Sequence, residues 1–170
     1  AVLNSRTLPQ ILLALAEATP NGLSERHKRL GVWREFTWSQ VLDQVRSFAL
    51  GLEDLGFARG DALMVIGENE PEHFWAEYAA QSLGGSILSV YPDQSSDEVA
   101  FPVKAANREI IVAQDQEQVD KCLSIVDDLD GILGIIFWDG AGLWGYEHPL
   151  LRAFNDVAKA GEHIHQGDKD

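Results

Sequence analysis

The sequence contains very little cysteine. Cys122 is the single cysteine among 170 residues, so it has no partner for an intrachain disulfide. The sequence also lacks the paired Cys-x-x-Cys and Cys/His spacings of zinc sites. Because disulfides are typical of oxidising compartments, their absence favours a reducing one, and we expect the chain in the cytoplasm.

Long hydrophobic runs are also absent. The run at 132–138 is short and is interrupted by Gly134, whereas a helix that crosses a bilayer needs about 20 apolar residues. No transmembrane segment is therefore predicted. Residues 1–7 lack the basic end, apolar middle and cleavage site of a signal peptide, and the first residue is Ala1 rather than methionine. We interpret the sequence as a piece of a longer chain.

Basic residues are scarce. The chain has 13 Lys and Arg against 27 Asp and Glu, a net charge of −14. This charge is repelled by the phosphates of nucleic acid and by the anionic face of a membrane. We therefore expect no nucleic-acid partner and no binding to either surface by electrostatics alone. The apolar content of 45% is enough for one folded domain with a sizeable core.

The clearest helix signal begins at Thr37. Thr37 and Gln40 form a capping-box pattern, in which the hydroxyl accepts from the third amide and the Gln side chain reaches back. Apolar residues then repeat along one face from 41 to 55, and Gly56 suits the left-handed position that ends a helix. A shorter helix is predicted at 8–15, and a hairpin around Gly31 within 27–36.

Apolar runs and helical segments alternate after Gly56. Strands are predicted at 62–66, 86–91, 109–113 and 132–138, with helices at 72–83, from 95 onward around Pro102, and at 115–129. Alternation of this kind requires right-handed crossovers. The predicted fold class is α/β, with an open, mostly parallel sheet and helices on both faces, as in a Rossmann-like subdomain.

The chain is predicted to fall into three parts within one domain, 1–170. Residues 1–36 carry the first helix and the hairpin, and residues 37–138 form the βα core. Residues 139–170 are predicted to be looser, with a helix at 149–160 followed by a polar end that has no apolar period.

Motifs for phosphate and metal chemistry are missing. The first βα turn, at 66–70, has only Gly67 and carries Glu68 and Glu70, which repel phosphate, and no glycine-rich nucleotide motif occurs. His163 and His165 could share a metal if they lay on a strand, but no third ligand is nearby, so a solvated tail is favoured and no metal site is assigned. The remaining histidines, at 27, 73 and 148, are isolated and are interpreted as surface or helix-face residues.

One combination of segments resembles a known superfamily. It begins with a capped helix, FTWSQVLDQVRSFALGLEDLGFARGD. Two stretches of strand and helix follow, ALMVIGENEPEHFWAEYAAQSLGG and SVYPDQSSDEVAFPVKAANREIIVAQDQEQVDKCLSI. This pattern, from about residue 8 to 160, resembles the first part of the adenylate-forming superfamily, which includes acyl-CoA synthetases, luciferases and peptide-synthetase adenylation domains. The stretches YPDQSSDEV and REIIVAQDQEQVDK look like AMP-forming long-chain fatty acyl-CoA synthetases.

The resemblance implies an enzyme that activates a fatty acid with ATP and Mg²⁺ to an acyl adenylate and transfers the acyl group to CoA. The family's phosphate loop, adenine motif, ribose-binding Asp and catalytic Lys have no match in this sequence, so no catalytic residue is assigned. ATP, Mg²⁺ and CoA are expected cofactors of the full-length enzyme and not of this part. The phosphate loop is expected shortly after Asp170, so the remainder of the chain is the expected partner, and this part alone is expected to be inactive.

Three residues are candidates for a substrate-facing or CoA-facing surface. Asn69, Tyr91 and Pro92 lie at the carboxyl ends of predicted strands, and open α/β sheets bind ligands there. Ordinary roles in loops and caps are the alternative.

Two other functions stay open: a non-catalytic binding or scaffold domain, and a part of an enzyme that activates amino acids or aryl acids. A part of a larger enzyme should also leave a sheet edge or an apolar face uncovered and tend to self-associate. The full-length enzyme could lie peripherally at a membrane.

Overall fold

The computed structural model describes residues 6–103 and 109–167. Its helices are α1 Leu8–Ala18, α2 Trp38–Asp54, α3 Pro71–Ser82, α4 Ser96–Val103, α5 Gln116–Ile125 and α6 Phe154–Gly167. Its strands are β1 Leu23–Arg29, β2 Val32–Thr37, β3 Ala62–Ile66, β4 Ser86–Val90, β5 Glu109–Ala113, β6 Ile132–Phe137 and β7 Leu151–Ala153.

Five of the strands form one parallel sheet in the order β4-β3-β5-β6-β7, and β1 and β2 pair antiparallel in a separate ribbon. β3 is flanked by β4 and β5, so Ile66 is paired with both Val90 and Ala113 at the carboxyl edge. The predicted α/β class with a parallel sheet is confirmed.

Helices cover both faces of the sheet. Because side chains alternate along a strand, Leu63 and Val65 of β3 lie in one apolar cluster and Met64 and Ile66 in another. The first cluster receives side chains from α1, α2, α3 and α6, and the second receives them from α4 and α5. The all-apolar strand at 62–66 is explained by this burial on both faces.

The helix starts follow the capping signals in the sequence. At α2, the Gln40 amide donates to the Thr37 hydroxyl at 3.3 Å, and the Thr37 amide donates to the Gln40 side chain at 2.9 Å. Ser95 and Glu98 make the corresponding pair of bonds at the start of α4. The capping box predicted at Thr37 is therefore formed, and Gly56, with φ of 90°, follows the end of α2.

The prediction for the end of the chain, residues 139–170, is wrong in two respects. The helix predicted at 149–160 begins later, at Phe154 after strand β7, and α6 continues to Gly167, so residues 151–167 are not loose. Residues two apart on a helix point in different directions, so His163 and His165 on α6 cannot act as the strand pair considered above. The helix predicted at 115–129 ends earlier, at Ile125, and continues as a 3₁₀ turn at Val126–Asp128. The last part of the predicted polar end, 168–170, lies outside the described residues.

None of the helices within 6–103 and 109–167 has both the length and the apolar character needed to span a bilayer.

Candidate functional site

The carboxyl edge of the sheet has a switch point between β3 and β5. The chain runs from β3 outward to β4 and then crosses back to β5 on the other side of β3. Open α/β sheets place their ligands where the strand order reverses in this way. The residues that follow Ile66 and Ala113 therefore define the first place to look for a site.

The crevice at this switch point is filled by the chain's own side chains. A Cβ added to Gly67 would lie 2.6 Å from Cβ of Gln114 and 2.7 Å from the indole ring of Trp138. Trp138 Nε1 donates to Glu70 Oε2 at 3.0 Å, and the Glu68 amide donates to Gln114 Oε1 at 2.7 Å. The turn after β3 thus has a covered amide and two acidic side chains where a dinucleotide-binding fold would hold a phosphate.

An open cleft lies beside the filled crevice, between the carboxyl ends of β3 and β4 and the first turns of α3. Its volume is about 320 Å³, and its walls include the side chains of Asn69, His73, Phe74, Glu77 and Tyr91. Tyr91 is mostly exposed and Phe74 is partly so, so aromatic surface is present at the opening. We call this space the α3–β4 cleft.

A chain of polar contacts runs along one wall of the α3–β4 cleft. His73 Nε2 lies 3.4 Å from Glu77 Oε1, and Ser89 Oγ donates to the same oxygen at 2.5 Å. The hydrogen bond from His73, assisted by the one from Ser89, holds the pKa of the Glu77 carboxyl below its usual value. The cleft therefore presents an ionised carboxylate with two donors, and this group can receive a hydroxyl or an amine of a ligand.

His73 has an unusual environment for a histidine on a helix. Its ring is buried, and within the described residues Nδ1 has no hydrogen-bond partner. Since Nε2 faces the Glu77 carboxylate, Nε2 carries the proton in the neutral ring and Nδ1 is left as a buried acceptor. The interpretation of His73 as an isolated helix-face residue missed its burial.

The structure brings together two of the three predicted site residues. Asn69 and Tyr91 line the α3–β4 cleft, whereas Pro92 is not part of its lining. The carbonyl of Pro92 instead accepts from Lys121 Nζ of α5, on the other side of the strand end. The sequence reasoning missed His73, Glu77 and Ser89. The spacing of four between His73 and Glu77 on a helix was the available signal.

The β1–β2 ribbon packs against the same edge of the sheet. Trp75 Nε1 donates to Glu25 Oε1 at 2.6 Å, and His27 Nε2 lies 3.9 Å from Glu70 Oε1. Arg29 forms an ion pair with Asp139 at 2.8 Å. Burial raises the pKa of the Glu25 and Glu72 carboxyls, because the ribbon and α3 exclude water from them.

The described residues do not form a metal centre. No group of three or more His, Cys, Asp or Glu side chains within 6–103 and 109–167 could hold a metal ion. The carboxylates at the sheet edge are engaged instead: Glu70 with Trp138, and Glu77 with His73 and Ser89.

The strand order, the helices on both faces and the filled switch point define an open parallel α/β domain that lacks the phosphate turn of dinucleotide-binding proteins. The profile of the AMP-binding enzyme family matches residues 17–147. The chain therefore belongs to the AMP-binding enzyme family. The membership predicted from the sequence is confirmed.

Known proteins agree with this placement. The chain is 29% identical over 104 residues to long-chain-fatty-acid–CoA ligase ACSBG2 of Xenopus laevis. The aligned region covers 61% of this chain and 14% of that protein. The chain is also 25% identical over 142 residues to long-chain-fatty-acid–CoA ligase ACSBG1 of Rattus norvegicus. This aligned region covers 84% of this chain and 19% of that protein. The acetoacetyl-CoA synthetase structure from Streptomyces lividans matches 86% of this chain and 24% of its own, with a TM-score of 0.74 and 20% identity. At 20% identity, the similarity to the synthetase structure shows a shared fold alone.

Proposed function

We propose that this chain is part of an ATP-dependent acyl-CoA ligase that activates a long-chain fatty acid as an acyl adenylate and transfers it to CoA. The observation that carries the proposal is the match of the AMP-binding enzyme family to residues 17–147. The named activity of the two ligase relatives supports the choice of a long-chain fatty acid. The chain spans under a fifth of the length of those relatives, so the activity is proposed for a longer protein.

The described residues do not fit ATP or Mg²⁺. Gln114 and Trp138 fill the switch-point crevice, and Glu68 and Glu70 add negative charge beside it. No step of adenylate formation is therefore assigned to these residues. In the proposed enzyme, the nucleotide and metal are held by other parts of the protein, and this part alone does not form adenylate.

The α3–β4 cleft is the proposed contribution of this chain to the ligand surface. Asn69 and Tyr91 present an amide and an aromatic ring at the carboxyl edge, and Glu77 offers an ionised acceptor beside them. These groups suit the polar and amide-bearing parts of a CoA-like ligand better than an acyl chain. Pro92, one residue beyond Tyr91, is proposed to position the strand end rather than to contact ligand.

Acid-dependent release of pyrophosphate tests the function. The longer protein that contains this chain is assayed with ATP, Mg²⁺ and CoA on a saturated long-chain fatty acid, an aryl acid and an amino acid. We expect pyrophosphate and acyl-CoA with the fatty acid. Activity with only the aryl acid or the amino acid would reassign the branch. Failure with all three acids would favour a binding or scaffold domain.

A pair of variants tests the cleft separately. Tyr91→Ala removes an exposed aromatic side chain from the α3–β4 cleft, and Phe101→Ala removes a similarly exposed one outside its lining. We expect Tyr91→Ala to raise the KM for CoA by about tenfold, while Phe101→Ala leaves it unchanged. Equal KM values in both variants would remove the cleft from the proposal and leave the ligase activity standing.

The proposed location is the cytoplasm, with the longer enzyme peripherally at a membrane. Self-association of the isolated chain through the edge strand β4 is also proposed, because this strand lies at the end of the sheet order. Sedimentation of the chain at increasing concentration tests this second point.

A further inference from the structure

The turn of the β1–β2 ribbon gathers positive charge in an otherwise acidic chain. Residues 26–34, RHKRLGVWR, contain four of the 13 Lys and Arg residues and no Asp or Glu. We call residues 26–34 the hairpin tip. The whole chain has a net charge of −14, so with +4 on the hairpin tip the remaining residues carry −18, and the tip has the opposite sign to the rest of the chain.

The hairpin tip also exposes apolar side chains. Leu30 is 96% exposed, and Val32 and Trp33 are 66% and 57% exposed. The three residues are consecutive apart from Gly31, so they form a continuous apolar end. A single exposed apolar residue is ordinary, but a cluster rimmed by charge indicates an interaction surface.

The turn itself is built against local preference. Leu30 has φ of 48°, and among the described residues it is the one non-glycine residue with positive φ. Gly31 follows with φ of 82°, so both central residues of this two-residue turn are left-handed, a geometry in which Asn-Gly is strongly preferred. A leucine at this position is unfavourable in two ways, because its side chain disfavours positive φ and its apolar surface is exposed to water. Backbone strain held at an exposed apolar residue points to a role outside the fold.

The two faces of the ribbon have different partners. The inner face carries Glu25, His27 and Arg29. Their contacts with Trp75, Glu70 and Asp139, respectively, fix the ribbon on the domain. On the outer face, Arg26 and Lys28 lie over the Trp33 ring at 5.6 and 5.7 Å from its centroid. The tip therefore projects from a fixed base, with an indole between two cations.

We propose that the hairpin tip binds the surface of an anionic lipid bilayer, with Leu30, Val32 and Trp33 at the level of the headgroups. Indole rings favour the boundary between headgroup and acyl chain, and adjacent cations are attracted to anionic lipids. The overall charge does not prevent this contact, because charges farther away than about 8 Å are screened at physiological salt. Three acidic side chains moderate the attraction: Glu35 pairs with Arg26, Asp139 pairs with Arg29, and Glu72 lies close to Arg34. This contact does not depend on the ligase activity.

Vesicle flotation of the chain tests the proposal. Vesicles of phosphatidylcholine with phosphatidylglycerol are compared with vesicles of phosphatidylcholine alone, at low and high salt. We expect binding to the anionic vesicles that weakens with salt. Lys28→Gln should weaken it by about fivefold, and Leu30→Asn by about tenfold. Leu30→Asn also suits the turn, so its melting temperature should equal or exceed that of the wild type.

Trp144→Ser is the control, because Trp144 is a tryptophan outside the hairpin tip that is even more exposed than Trp33. It should bind vesicles as the wild type does. Bilayers with brominated acyl chains should quench fluorescence in the wild type, and Trp33→Phe should abolish this quenching.

Three results would overturn the proposal. The first is an absence of binding to anionic vesicles, and the second is unchanged binding by Leu30→Asn. The third is salt-sensitive self-association without vesicles that Leu30→Asn abolishes, since a second copy of the chain would then be the occupant.

Discussion

The backbones of α2 and α6 meet at Gly51 and Gly161. A Cβ on Gly161 would lie 2.6 Å from the amide nitrogen of Gly51 and 2.0 Å from the carbonyl oxygen of Ser47. A Cβ on Gly51 would lie 2.2 Å from the carbonyl oxygen of Val157. No larger residue fits at either position, so these two glycines set the distance between the helices.

Gly161→Ala should therefore destabilise the fold although alanine is the better helix former. We expect a loss of about 2–3 kcal/mol in the free energy of unfolding, because α6 must move off α2. Denaturant unfolding followed by circular dichroism measures it. Gly167→Ala in the same helix is the control, since its Cβ would meet no atom within 4 Å, and it should be neutral or slightly stabilising. Equal stability of Gly161→Ala and the wild type would show that the helices are not in this close contact.

Glu109 should make stability depend on pH. Burial raises the pKa of its carboxyl to about 7 from the model-peptide value of 4.5. Between these two pH values the native state holds a proton that the unfolded state has released, so stability falls as pH rises through this window. Above pH 7 the loss is complete.

Replacement by glutamine tests this pH dependence. Glu109→Gln should remove it and should be more stable than the wild type at pH 8 by about 2 kcal/mol. Unfolding measured at pH 5 and pH 8 for both proteins gives the comparison. A wild-type protein whose stability over Glu109→Gln grows between pH 5 and pH 8 would contradict the assignment.

Local signals made most of the fold predictable. Thr37 and Gln40 mark a helix start by their own chemistry, and a continuous apolar run such as 62–66 needs burial on both sides. The strand β7 was not predictable in this way. It has only three residues, one of them Arg152, so it shows no apolar period, and its place is set by pairing with β6, in which Ile135 is the partner of Leu151. The same holds for Gly161, whose role depends on Gly51, 110 positions earlier.

The candidate site was predictable in position but not in composition. The topology of a parallel sheet places Asn69 and Tyr91 at one edge, and the structure brings both to the α3–β4 cleft. The sequence could not reveal that Trp138 fills the neighbouring crevice, because this contact joins Gly67 after β3 to Trp138 after β6, far apart in the chain. Ser89 was hidden for the same reason, since its bond to Glu77 links β4 with α3.

The Glu77 contacts should stabilise the fold above acidic pH. The pKa of this carboxyl is lowered by His73 and Ser89, so its contribution is present above the unfolded value of 4.5 and is lost as pH falls through the lower folded value. At pH 7, Glu77→Gln should cost about 1 kcal/mol, a modest figure because the side chain is partly exposed to solvent.

Unfolding at pH 7 and pH 3 should show that the difference between wild type and Glu77→Gln shrinks at the lower pH. Glu117→Gln is the control, because Glu117 pairs with Lys121 on α5 at a mostly exposed position and should change stability little. A difference for Glu77→Gln that stays constant across this range would show that the charge of Glu77 is not the stabilising feature.

The closure of the switch point should depend on Trp138. Its indole ring covers Gly67, and its Nε1 donates to Glu70, so Trp138→Phe loses both the outer ring and the hydrogen bond. We expect a cost of about 2 kcal/mol, measured by denaturant unfolding, because a partly buried hydrogen bond and part of the packing are removed together. Trp33→Phe on the exposed hairpin should cost less than about 0.5 kcal/mol. If both variants lost the same small amount, Trp138 would not be closing the crevice, and the reason for excluding phosphate from that turn would rest on its carboxylates alone.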